Sequence, residues 1–165
     1  MTPGYLAGML VDLLPRSAHP GVAAVEPWRG ITGGEDERGL VVRFRDGAQF
    51  GLKVVAGSPN GGSPTGPDEY EPAGGPPGDV SGVGGDGPTG AEAFAGYLAA
   101  VVEAAGHPEV TAALTSQTEI SQPMQRSVRV DLVDGKVLLV LFARAAGPGD
   151  RRLPDWDVSK WGAMA

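Results

Sequence analysis

One stretch of this sequence stands in the chain twice. His19-Pro20 and His107-Pro108 each lie 27 positions ahead of an Asp-Gly pair, Asp46-Gly47 and Asp134-Gly135. At this constant offset of 88, eight of the 37 residues from His19 to Val55 recur: His19, Pro20, Val22, Ala24, Arg38, Val42, Asp46 and Gly47. Similar apolar pairs fill the phase between them: Leu40 with Val128, Phe44 with Leu132, Phe50 with Leu138, Leu52 with Val140 and Val54 with Phe142. A repeated unit constrains architecture strongly, because both copies carry the same apolar faces and need somewhere to bury them. It names no reaction.

The local patterns fill in the unit. Leu6, Met9, Leu10, Leu13 and Leu14 make one apolar stripe, so Tyr5–Leu14 reads as a helix capped by Thr2 and ended by Pro15. Glu92–Ala105 reads as a second helix with a stripe of Phe94, Leu98, Val101 and Val102, stopped at Gly106. Tyr97-Leu98-Ala99 echoes Tyr5-Leu6-Ala7 at an offset of 92, which requires four extra residues in the first copy. Val22–Trp28 and Val110–Leu114 are weak strands, with a short helical turn as the alternative.

Two hairpins follow from strict alternation. Leu40, Val42 and Phe44 alternate with polar neighbours, as do Phe50, Leu52 and Val54. For the apolar faces to coincide, opposed residue numbers must sum to an even value. A three-residue loop, Arg45-Asp46-Gly47, satisfies this, with Gly47 left-handed, Val42 opposite Phe50 and Leu40 opposite Leu52. Ser127–Ala143 repeats the pattern around Asp134-Gly135. Val137–Phe142 is apolar throughout, the mark of a strand covered on both faces, and it is expected at the junction of the two units. Its second face needs a cover, either the C-terminal tail or another subunit.

Between the units, residues 56–91 hold 12 Gly, seven Pro, five acidic and no basic residues in 36 positions. Such a segment buries too little to offset ordering entropy and reads as a disordered tether. A partner-binding role centred on Asp68-Glu69-Tyr70-Glu71-Pro72 is the alternative. The net charge is −7, but outside this segment 13 basic residues face 15 acidic ones. With no basic stripe, no nucleic-acid partner is expected. No apolar run reaches membrane-spanning length, and no basic start suggests a signal peptide, so no membrane partner and a cytoplasmic location are expected.

Candidate chemistry is sparse. The chain has no cysteine. His19 and His107, its only histidines, occupy matching repeat positions and are candidate ligand-binding residues if the two units meet about a pseudo-two-fold axis. The simpler account is that each imidazole caps a helix C-terminus, with Pro20 or Pro108 preventing continuation. Gly33-Gly34-Glu35-Asp36-Glu37 lacks the alternating ligands of a calcium loop. The glycines fit no phosphate or dinucleotide fingerprint, and no catalytic residue, resident metal or cofactor is expected. Arg43, Arg45 and Lys53 share the outward face of the first hairpin and are candidate partner-binding residues. The tail supplies two more, Trp156 and Trp161.

The expected architecture is α+β. Two tandem α-β-β-β units (1–55 and 92–146) form one mostly antiparallel sheet of about six strands with two helices on one face, followed by a Trp-bearing tail (147–165). The expected function is a non-enzymatic protein-binding, assembly or adaptor role: a phage or mobile-element component, or an immunity or chaperone-like protein. A protein partner or self-association follows. The alternative is a small-ligand or metal-binding protein that uses a cleft between the units around His19 and His107.

Overall fold

The computed structural model describes residues 1–17, 19–28, 38–57, 65–71, 78–81, 83, 90–118 and 125–146. Its elements run α1 (Pro3–Arg16), β1 (Val22–Pro27), β2 (Gly39–Phe44), β3 (Gln49–Ala56), α2 (Ala91–Ala104), β4 (Val110–Thr118), β5 (Gln125–Leu132) and β6 (Val137–Ala146). The strands form a six-stranded sheet in the order β1-β2-β3-β6-β5-β4, every neighbouring pair antiparallel. The α+β expectation holds, with both helices packed on one face. Each helix precedes a three-strand meander, and the third strands, β3 and β6, meet at the centre. The all-apolar strand β6 therefore lies where its composition places it.

Register follows the even-sum rule. Val42 pairs with Phe50 and Leu40 with Leu52. Gly47 has φ 93 and Gly135 has φ 82, the left-handed conformation that a three-residue loop needs at its third position. The two loops share their bonding. Asp46 Oδ1 accepts from the Ala48 amide at 2.8 Å, and Asp134 Oδ1 accepts from the Lys136 amide at 3.0 Å.

The offset of 88 extends through the backbone. The Val22 amide donates to His19 O, and the Val110 amide to His107 O. The Arg45 amide donates to Gly21 O, and the Val133 amide to Glu109 O. Register shifts fall at Val22/Ala24 in β1 and at Val110/Ala112 in β4. The helices obey the same spacing: their bounds differ by 88, and Leu6, Met9, Leu10, Leu13 and Leu14 correspond to buried Phe94, Tyr97, Leu98, Val101 and Val102. The expected four-residue insertion is thus absent. The Tyr-Leu-Ala triplets occupy different helical turns, and Met9 stands where Tyr97 does.

Helix α1 starts as its sequence dictates. The Thr2 hydroxyl accepts from the Tyr5 amide at 3.2 Å, and Pro3 stands where a missing N–H costs nothing. Its end differs from the expectation. Pro15 lies inside the last turn rather than terminating the helix. Proline forfeits one bond to the preceding turn there, while Ser17 Oγ donates to Leu14 O at 2.7 Å and the Ser17 amide to Leu13 O at 2.9 Å. α2 stops at Gly106, φ 62.

The core lies between helices and sheet. Leu6, Leu10, Leu13, Phe94, Leu98 and Val101 meet Leu40, Val42, Leu52, Val54, Val128, Val130, Leu138 and Val140. On the opposite face Val41, Leu139 and Leu141 are also buried. Trp28 covers part of that face: a Cβ on Gly51 would stand 2.5 Å from its ring. The 147–165 tail proposed as a cover lies outside the described residues. Parts of the 56–91 segment lie on the helices. Val80 is buried in the core, Gly78 N–H donates to Ala105 O, and residues 65–71 run along α1.

Candidate interaction surfaces

The two imidazoles sit at opposite ends of an antiparallel helix pair. His19, just past the end of α1, packs against Tyr97 (ring centroids 4.6 Å apart), Phe94 and Phe44. His107, just past the end of α2, packs against Tyr5 at 5.5 Å. Each histidine therefore packs against the helix of the other half of the chain. Their Nδ1 atoms accept equivalent local amides, Gly21 N at 3.0 Å and Glu109 N at 3.2 Å. Desolvation lowers the pKa of both, with Glu109 partly opposing it at His107 and the N-terminal ammonium adding to it. These bonds are to loop amides rather than to helix carbonyls, so the capping account also needs correcting. An unprotonated Nδ1 accepts these amide hydrogen bonds; a charged imidazole, with both nitrogens protonated, could not.

Glycines on α1 shape a second feature. A Cβ at Gly4 would stand 2.8 Å from Asp68 O, and one at Gly8 would stand 3.0 Å from Tyr70 Cβ. Residues 65–71 use this closeness. Thr2 Oγ1 donates to Pro67 O at 2.9 Å, Tyr70 stacks edge-on against Tyr5, and its hydroxyl donates to Asp12 Oδ2 at 3.0 Å. Burial, then the Asp12 carboxylate, push the Tyr70 pKa to about 12, so the phenol stays a donor. Beside this strap opens a cleft of ≈ 580 Å³ lined by Trp28, Arg38, Asp68, Glu69 and Tyr70 over Gly4 and Gly8. The Gly4/Gly8 spacing on one helical face is the sequence signal of such an approach.

The first hairpin's basic face is locally engaged. Arg43 NH1 meets Glu26 Oε1 at 2.5 Å, and Arg45 Nε donates to Pro20 O at 2.9 Å. Lys53 lies opposite Leu141 in register and also has an interaction partner. The equivalent position in the second unit pairs Arg129 with Asp131 at 2.7 Å. Trp156 and Trp161 lie outside the described residues.

The sheet's two outer strands differ most. β1 and β4 are related by the same offset of 88, so Glu26-Pro27 corresponds to Leu114-Thr115. At the first edge a charge faces out and Pro27 has no N–H to offer. At the second, Leu114 is 53% exposed and Thr115 retains its N–H. β4 also runs nine residues, against six for β1, and contains no charge, Gly or Pro. One guard is present: Glu103 on α2 accepts the Ala113 amide at 3.2 Å.

Compared with known families, curated proteins and solved structures, the chain matches none. Among the described residues, no helix is long and apolar enough to cross a membrane, and no three His, Asp or Glu side chains cluster as metal ligands would.

Proposed function

We propose that this protein is a non-enzymatic binding or assembly module that takes up an extended polypeptide at the β4 edge. The contrast between equivalent edges carries this reading. Exposed edge strands invite pairing and are usually blunted by charge, proline or cover. Here β1 has Glu26 and Pro27, whereas β4 at the same positions has Leu114 and Thr115. Strand addition would draw affinity from main-chain bonds and selectivity from alternate side chains. Arg43, Arg45 and Lys53, with the tryptophans Trp156 and Trp161, are secondary contact candidates in this reading.

The test is selection of peptides from a random displayed library on the wild-type chain and on Thr115→Pro. Enrichment of extended β-branched or apolar peptides that Thr115→Pro abolishes, and Val25→Pro at an outward-facing amide of the other edge retains, is the expected result. Selection without enrichment, or enrichment unaffected by Thr115→Pro, overturns the reading.

The cleft beside α1 favours a second reading, small-ligand binding. Its ≈ 580 Å³ lies within the range of ligand pockets, about 300–1,000 Å³, with two aromatic rings and three charged groups converging on it. Neither histidine lines it. Protection of Trp28 fluorescence from quenching by a metabolite fraction, lost in Tyr70→Ala, would move the assignment there.

A further inference from the structure

We infer that the occupant of the β4 edge is the same edge of a second copy, paired antiparallel about a two-fold axis through Ser116. This rests on the binding reading above and names its partner.

The backbone fixes the axis. In an antiparallel strand, successive residues direct their N–H and C=O alternately to one neighbour and to the other. The Ala113 amide donates to Glu103 and so points away from β5. By alternation Thr115 and Gln117 also offer their backbone groups outward. Glu103 engages the edge at Ala113, so the remaining stretch of the strand is Leu114–Thr118, centred on Ser116. A two-fold there sets Thr115 against Gln117 of the partner subunit, and the reverse, with both bonds of each pair made.

Composition permits the match. The strand's nine residues carry no charge, so its own image meets no like-charge repulsion. The interface is isologous, each copy using the same strand edge. The remaining edges of the dimer are both β1, blunted by Glu26 and Pro27. Head-to-tail growth of β4 onto β1 would make an open filament, and that route is blocked at the residues where the two edges differ. The product is a closed dimer with one continuous sheet of twelve strands, two copies of six.

The chain has no cysteine, so one introduced thiol reports the geometry cleanly. Residues 116 of the two copies would face each other as a non-hydrogen-bonded pair, about 4.5 Å between Cα atoms, within disulfide reach. Ser116→Cys is expected to form a covalent dimer under mild oxidation, while Ala24→Cys on the β1 edge stays monomeric. Sedimentation of the wild-type chain is expected to show a concentration-dependent dimer that Thr115→Pro abolishes; Pro27 at the equivalent position shows that the fold accepts proline there. A Ser116→Cys protein that is folded by circular dichroism and thiol-reactive but remains monomeric overturns self-pairing, as does equally rapid dimerisation of Ala24→Cys. If peptide selection at β4 still succeeds in that case, only the occupant is wrong. If it fails too, the edge reading falls with it.

Discussion

Adding one methyl group to Gly51 separates packing from backbone effects on the sheet's second face. Gly51 pairs with Val41 on one side and Arg144 on the other. A Cβ there would lie 2.5 Å from two ring carbons of Trp28 and 3.1 Å from a third. Carbon contacts settle at about 3.5–4.0 Å, so the indole must retreat by about 1 Å. Retreat is obstructed because Trp28 is 8% exposed and its amide donates to Gly39 O at 3.0 Å. Overpacking of this kind costs about 1–3 kcal/mol. Against it, Gly→Ala restricts the unfolded chain and returns about 0.4–1 kcal/mol. Gly51→Ala is therefore expected to destabilise by about 1 kcal/mol, within the span of about 0–2.6 kcal/mol left by the overpacking cost less this gain. In a Trp28→Leu background the far ring carbons are gone, and the same substitution should be neutral or stabilising by about 0.4–1 kcal/mol. Urea denaturation followed by far-ultraviolet ellipticity gives all four stabilities. Equal effects of Gly51→Ala in both backgrounds would refute the claim that the Trp28 ring sets the cost.

Three further outcomes follow from the geometry. His19 and His107 both have folded pKa values lowered from 6.5 by burial, so the unfolded chain takes up protons first as pH falls. The stability due to their neutral forms is full above pH 6.5 and is lost as pH drops from there through the folded values; melting temperatures between pH 7.5 and 5 should fall less in His19→Gln than in the wild type. Gly135→Ala meets nothing within 4 Å but must hold φ +82, so its cost should be purely conformational, about 1–2 kcal/mol by chemical denaturation, with Gly135→Asn recovering part of it. Tyr70→Phe removes the donor to Asp12, with an expected cost of about 1 kcal/mol, and should speed cleavage at Glu69 and Glu71 by a glutamate-specific protease; unchanged cleavage would show that the strap is held by its other contacts.

Much of the sheet was legible because strand faces are encoded with period two. The alternation of Leu40, Val42 and Phe44 against Phe50, Leu52 and Val54 left one acceptable register, and Gly47 and Gly135 supplied the conformation that it needs. The helix offset is obscured in the sequence because Tyr5-Leu6-Ala7 and Tyr97-Leu98-Ala99 are a resemblance of letters. Burial, which sets equivalence, tracks Leu6 with Phe94 and Met9 with Tyr97, and residue identity does not have to follow. The edge contrast was also present in the letters, as Glu26-Pro27 against Leu114-Thr115. It acquires meaning only once both strands are known to be outermost.

By itself, then, the sequence determined local conformation: where helices begin, which strand faces are apolar, and which loops need a left-handed glycine. These follow from short-range sterics and from the periodicity of burial. Only the tertiary structure decided that β3 and β6 meet at the centre, that His19 and His107 stand at opposite ends of the helix pair, that residues 65–71 lie on Gly4 and Gly8, and that β4 is an outermost strand. Each of these depends on which distant surfaces come together, and many pairings of apolar faces satisfy the same one-dimensional pattern until packing in three dimensions selects one.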